Sequence, residues 1–411
     1  MRILFVHPDL GIGGAERLVV DAAIALQNKG HSVSFLTNHH NPNHCFDETV
    51  NGTLKVETVG DWLPRSVFGK CSAFCAYFRM VYAALYTVFF LSKAQKIDII
   101  FCDQISLGIP IFRLASNRPK ILFYCHFPDQ LLSSKGSVLK HYYRMPLNFL
   151  EEKTTGQADG VLVNSKFTRR VFKETFKSLR MMPEVLYPSL NTVAFDDTTI
   201  DRKEILQQFS AENYVFLSVN RFERKKNIGL ALKAVKALEK IVSKLEWERT
   251  VLVVAGGYDS RVEENVEHFN ELVQLAGDLG ISHKVTFLQS PSDKYKTWLM
   301  RQSEALLYTP QNEHFGIVPL ESMYLRKPVI AVNSGGPTET IIHESTGFLC
   351  EQNENEFAEA MAKFIRDRTL SDCMGEMGHK RVRSTFSFEA FTEKLDRIVR
   401  ELLVDGSKKL K

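Results

Sequence analysis

The chain opens on an apolar run, "RILFVHP", closed by proline. "GIGGAER" follows, then "LVVDAAIALQNKG", whose apolar residues recur at helical spacing and stop at a glycine. A second apolar run, "HSVSFLTN", comes next. Strand, glycine loop, helix, strand is a βαβ unit. The alternation continues through "KIDIIFCD", "KILFYCHFP" and "ADGVLVNS", the last followed by the helical "KFTRRVFKETF". After a polar, weakly periodic stretch at 191–204 a second series begins. It runs through "YVFLSVNRF", the helical "NIGLALKAVKALEKIV", "RTVLVVAGG", "KVTFLQ", "ALLYTP", "PLESMYLR" and "KPVIAVNSGGP". Strands that are apolar at nearly every position predict parallel sheets covered on both faces. The pattern therefore predicts an α/β chain of two Rossmann-like domains, 1–190 and 191–385, facing across a cleft. An amphipathic helix in "FSFEAFTEKLDRIVRELL" and a short basic tail fill 386–411. Ligands of such sheets bind at the carboxyl ends of strands, and nearly every glycine-rich or charged motif here follows a strand.

Composition changes this picture little. At 411 residues the chain exceeds one ordinary core, and 44% hydrophobic with 24% charged residues describes a folded globular protein. A net charge of +4, without a basic tract interleaved with aromatics, gives no case for nucleic acid. Seven scattered cysteines predict reduced thiols and no zinc set. "MRILFVHP" lacks the apolar region of a secretory signal and reads as a strand, so a chain that is not secreted is expected.

One segment raises the question of a membrane. "AFCAYFRMVYAALYTVFFLS", 73–92, is aromatic and apolar but carries Arg79. Its uninterrupted stretch from Met80 to Leu91 is 12 residues, against about 20 needed to span a bilayer. Arginine at the bilayer centre costs about 2.5–3.5 kcal/mol. A helix lying in the interface is therefore expected over a span, with an ordinary core helix as the competing reading.

Four motifs carry candidate chemistry. "GIGGAER" is a glycine turn before a helix, where backbone N–H groups can meet an anion. As a dinucleotide fingerprint it fits poorly: Glu16 stands at the third glycine position, and no acid closes the second strand. A plain tight turn is the other reading. His126 in "CHFPDQ" follows a strand, as a general base or a hydrogen-bonder of sugar hydroxyls, or as a satisfied core histidine. "NRFERKKN" places Arg221, Arg224, Lys225 and Lys226 at a strand end, suited to phosphate. In "PQNEHFGIVPLES", Glu313 lies on a loop and Glu321 early in a helix. N–H groups near Gly316 and Ile317 are placed to take a phosphate, and the carboxylates to take vicinal hydroxyls.

Together, "GIGGAER", "NRFERKKN", the Glu313-x7-Glu321 spacing and "NSGGP" resemble the retaining GT-B glycosyltransferases that use nucleotide-sugar donors. The likeness runs along essentially the whole chain. "HPDLGIGGAERLV", "GDWLP", "CDQIS", "ILFYCHFPD", "VLYPSLN", "AGGYD" and "NEHFGIVPLE" resemble more closely the mannosyltransferases of dolichol-linked oligosaccharide assembly that add α-1,3 and α-1,6 mannoses. The resemblance implies transfer from GDP-mannose to a dolichol-pyrophosphate-linked oligosaccharide, at the cytosolic face of the endoplasmic reticulum membrane, in a complex with neighbouring mannosyltransferases. It implies no cofactor and no essential metal. Arg221, Lys225 and Lys226 would then hold the donor diphosphate, with the backbone of Gly316 and Ile317. Glu321 would hold the ribose, Glu313 the mannose, and Gly256 would flank the base. Gly13 and Gly14 would meet the donor, Gly11 and Glu16 the acceptor, and His126 and Glu313 would be the catalytic pair. Three alternatives stay open at this stage: another nucleotide sugar, a non-catalytic carbohydrate-binding protein and an NAD-dependent oxidoreductase.

Overall fold

A computed structural model describes residues 1–66, 71–132, 138–196 and 209–408. Much of the polar stretch at 191–204 and the last three residues of the basic tail lie outside them. The chain forms two compact units, Met1–Ser189 with Phe388–Lys411, and Leu190–Ser387.

The first unit is built on a seven-stranded parallel sheet. Its strands are β1 (Arg2–His7), β2 (Ser32–Thr37), β3 (Lys55–Thr58), β4 (Ile99–Asp103), β5 (Lys120–Cys125), β6 (Gly160–Val163) and β7 (Glu184–Val185), in the order β3-β2-β1-β4-β5-β6-β7. Because side chains alternate across a strand, the continuous apolar runs feed two cores. Ile3, Phe5 and Phe101 pack under the helix Gly14–Asn28 and the C-terminal helix Phe388–Lys408. Leu4, Val6 and Ile100 pack under the helix Ser72–Tyr86 and its neighbours. The C-terminal helix is pinned by Leu395 and Val399, both fully buried, and by a 2.7 Å contact between His31 Nε2 and Asp396.

The second unit carries a six-stranded parallel sheet of β8 (Tyr214–Val219), β9 (Thr250–Gly256), β10 (Val285–Gln289), β11 (Ala305–Tyr308), β12 (Val329–Val332) and β13 (Gly347–Cys350), in the order β10-β9-β8-β11-β12-β13. In both sheets the strand order reverses beside the first strand, between β1 and β4 and between β8 and β11. Connections leave towards opposite faces there, so a crevice opens at the carboxyl ends. The basic motif after β8 forms a turn ahead of the helix, as expected. Arg224–Lys226 is one 3₁₀ turn, Asn227 sits in the left-handed region, and the helix proper is Gly229–Leu238.

The aromatic segment at 73–92 falls in one continuous helical stretch, Ser72–Ala94. Its length and composition would allow it to cross a membrane, yet one side is packed in the core through Cys75, Met80, Ala83 and Ala84. Arg79 is buried and hydrogen bonds the Asn38 carbonyl at 2.7 Å, with Asp61 at 3.4 Å. The other side exposes Phe74, Phe78, Leu85, Phe89 and Phe90, an apolar stripe at helical spacing that ends at Lys93.

One packing detail fixes the switch crevice of the second unit. A Cβ at Gly256 would lie 1.8 Å from the carbonyl oxygen of Asn220, so β9 can end against the turn after β8 only through a glycine. Gly256→Ala is expected to destabilise the protein by about 1–3 kcal/mol, as overpacking does, read as a lower thermal midpoint. Gly14→Ala, where the added Cβ meets no heavy atom within 4 Å, should leave the midpoint near wild type.

Candidate active site

In the second unit the β8 and β11 loops meet across the crevice. Lys226 Nζ reaches Glu313 Oε2 at 2.5 Å, and Thr309 Oγ1, just beyond β11, donates to the Lys226 carbonyl at 2.7 Å. Burial alone would raise the Glu313 carboxyl, but the Lys226 ammonium outweighs it and holds the group below its ordinary value. The loop is shaped by glycines. Gly316 has φ +82° and starts the helix Ile317–Tyr324 over the Tyr308 hydroxyl. Gly335 and Gly336 of "NSGGP" let the Glu313 and Phe315 backbone come close, at distances where a Cβ would meet oxygens at 2.4 and 2.2 Å. Gly336 N–H donates to the Glu313 carbonyl at 2.8 Å.

Glu321, in the second turn of that helix, is buried. Burial raises its carboxyl, and Lys296 is the nearest opposing charge, with Nζ 3.3 Å from Oε2. Oε2 receives no hydrogen bond among the described residues, so an acceptor stands ready for a hydroxyl. Arg221 and Lys225 are mostly exposed and share one anchor, Glu223, at 3.1 and 2.9 Å. Arg224 departs from the expected cluster, because its guanidinium turns to Glu267 and Glu271 on the helix Glu263–Asp278. The basic turn thus offers three cations, not four. What Gly256 approaches is the Asn220 backbone.

In the first unit His126, Gly11, Gly13, Gly14 and Glu16 lie at strand ends, and the structure joins two of them through residues the motifs did not single out. His7 ends β1 and Asp103 ends β4, on either side of the switch point. His7 Nδ1 lies 2.7 Å from one Asp103 oxygen and His126 Nε2 lies 2.8 Å from the other. Glu16 Oε1 stands 3.6 Å from His7 Nε2. Burial works against charge on His7, but Asp103 and Glu16 lift its pKa to about 10. Gly13 is extended and precedes the helix, and a Cβ on it would sit 2.2 Å from Glu16 Oε2. Gly14 faces open space, and Gly11 makes only ordinary contacts. The loop after His126 is tied down by Glu151, which accepts the N–H groups of Asp129 and Gln130. Burial nonetheless pushes its carboxyl up to about 7.

His7, Asp103, Glu223, Lys296 and Tyr308 were therefore missed as site residues. The available signal was a polar residue closing an apolar strand, as in "ILFVH" and "IIFCD". Lys296 carries no such signal, because it sits in mid-helix.

Two family models match the chain, "Glycosyltransferase Family 4" over residues 12–192 and "Glycosyl transferases group 1" over 201–381. The alpha-1,3/1,6-mannosyltransferase ALG2 of Homo sapiens is 54% identical over 405 residues, covering 98% of this chain and 96% of that one. The ALG2 of Saccharomyces cerevisiae is 40% identical, over 98% of this chain and 85% of the yeast one. Among solved structures, sucrose-phosphate synthase from Thermosynechococcus elongatus superposes with a TM-score of 0.73 at 20% identity, over 98% of this chain and 99% of that one, a likeness of fold. Two parallel α/β units with strand-end charges, matched along their whole length, make the chain a GT-B glycosyltransferase and a member of the alpha-1,3/1,6-mannosyltransferase family.

Proposed function

We propose that this mannosyltransferase moves mannose from GDP-mannose to a dolichol-pyrophosphate-linked mannosyl-chitobiose, adding an α-1,3 and an α-1,6 mannose with retention. The observation that carries the donor side is the Lys226–Glu313 pair at the switch point of the second unit. A diphosphate there draws Lys226 from Glu313, and the exposed Arg221 and Lys225 swing from Glu223 to join it. The N–H groups at the start of the helix Ile317–Tyr324 add their dipole. Glu313, released, takes the mannose hydroxyls and stabilises positive charge developing at the anomeric carbon. Glu321 takes the ribose through its open oxygen. With Arg221, Lys225 and Lys226 carrying the leaving-group charge, the reading requires no essential metal.

In the first unit His126, connected through Asp103 and His7 to Glu16 of the glycine turn, handles the acceptor. The acceptor hydroxyl oxygen attacks the anomeric carbon from the face of the departing phosphate. The bond from that carbon to the phosphate oxygen breaks, and this oxygen receives the hydroxyl proton. The apolar stripe Phe74, Phe78, Leu85, Phe89 and Phe90 supports seating in the interface of the endoplasmic reticulum membrane, where the polyprenyl tail lies, on its cytosolic side. Arg79 is already used inside the fold, so the helix lies along the surface and does not span.

Incubating the purified protein with lipid-linked mannosyl-chitobiose and either GDP-mannose or UDP-sugars, and weighing the products, tests the reading. Two additions from GDP-mannose, undiminished by EDTA, are expected; no addition from GDP-mannose overturns it. Lys226→Ala loses a charge-assisted bond of about 1.5–3 kcal/mol, so kcat/KM should fall roughly tenfold to a hundredfold or more. Replacing Phe89 and Phe90 together by Asp should abolish sedimentation with phospholipid vesicles while leaving GDP binding unchanged.

A further inference from the structure

Three strand ends of the first unit converge on one carboxylate, and nothing in the mannosyl-transfer reading uses two of them. Asp103 and His7 are each about 1% exposed, and the buried carboxylate is hydrogen bonded on both oxygens. Burial pulls the Asp103 carboxyl up, but the His7 charge and the hydrogen bonds from both imidazoles hold it below its usual range. An ionised carboxylate only accepts hydrogen bonds, so each imidazole nitrogen facing it carries its hydrogen. That assigns Nδ1–H to His7 and Nε2–H to His126. The side-chain hydrogen bond of His126 among the described residues is made by Nε2, and the ring is 21% exposed, which leaves Nδ1 free. His7 is held by Asp103 on Nδ1, while its buried Nε2 has no hydrogen-bond partner among the described residues and Glu16 lies 3.6 Å away.

We propose that Asp103, fixed by His7, is a positioning residue that locks His126 as its Nε2–H tautomer and leaves Nδ1 as the nitrogen available to a substrate hydroxyl. Asp103 touches no substrate; it acts through His126. The inference rests on His126 being a catalytic group of the transfer reaction. Glu16 extends the same chain of charges to the turn "GIGGAER", so the acceptor loop and the histidine share one electrostatic scaffold. A purely structural role, tying β1 to β4, would stabilise the sheet without selecting a tautomer.

The test uses the full chain with ¹⁵N-labelled histidine and steady-state kinetics on the lipid-linked acceptor. In the wild type, His126 should give the nitrogen shifts of the Nε2–H tautomer, and Asp103→Asn should give a tautomer mixture. His126→Ala should lower kcat roughly tenfold to a hundredfold, the cost of misplacing the acceptor hydroxyl. Asp103→Asn should lower kcat by at least about tenfold within that range, with KM for GDP-mannose unchanged. The double variant should be no slower than His126→Ala, since residues acting as a unit are non-additive. An unchanged His126 tautomer in Asp103→Asn, or multiplying losses in the double variant, overturns the proposal. If His126→Ala is slow while Asp103→Asn keeps wild-type kcat, positioning fails and the catalytic reading of His126 stands. If His126→Ala itself keeps wild-type kcat, the catalytic reading fails and the proposal with it. Should Asp103→Asn not fold, as shown by loss of GDP binding and of its melting transition, His7→Gln carries the test. It keeps the carboxylate and removes one anchor, and should lower kcat and broaden the tautomer population; no change in either overturns the proposal.

Discussion

A charge that leaves water must find a partner, and in a parallel sheet the place to find one is the strand on the far side of the switch point. Elsewhere along the carboxyl edge, helices leaving towards the same face crowd the strand ends. Where the order reverses they part, and the loops beyond adjacent strands can exchange side chains. Both units use this opening in the same way. Lys226 beyond β8 meets Glu313 beyond β11, and His7 on β1 meets Asp103 on β4. Each pair joins residues far apart in sequence, so the crevice and the pair form together.

The environments then divide the acids by role. Glu313 has its cation at hydrogen-bond distance, and its carboxyl is held low. Glu321 has Lys296 only at 3.3 Å, and burial leaves its carboxyl raised with one oxygen unbonded. Each glutamate has a cation that pulls it down, but burial wins at Glu321 and loses at Glu313, so the two are shifted in opposite directions. The glycines of "NSGGP" serve this arrangement by geometry alone. They let the backbone of the Glu313 loop settle against a neighbouring strand end.

Much of the fold was legible because its causes are local. Apolar runs, glycine turns and helical spacing lie along the chain in order, and the strand ends they predict at Cys125, Tyr308 and Val219 are where the site loops begin. Glu313, Glu321, Lys226 and His126 were legible because each follows a strand. What was not legible depended on contacts between distant segments. Arg224 reads as one more cation of the cluster until the helix Glu263–Asp278 supplies two carboxylates to claim it. His7 and Asp103 look like the last residues of apolar strands, and only the sheet order makes them neighbours. Arg79 reads in sequence as an obstacle to spanning a membrane, and its burial against Asn38 leaves the aromatic stripe free of charge until Lys93.

The path of the chain has a consequence for how the protein is made. The first unit lacks one of its covering helices until Phe388–Lys408 has been synthesised, because that helix packs beside Gly14–Asn28 on the same face of the sheet. The second unit has all of its strands as soon as Cys350 is out. On the ribosome the earlier unit is therefore the one that finishes last. Until that helix emerges, the apolar patch that receives Leu395 and Val399 stays open to any passing chaperone.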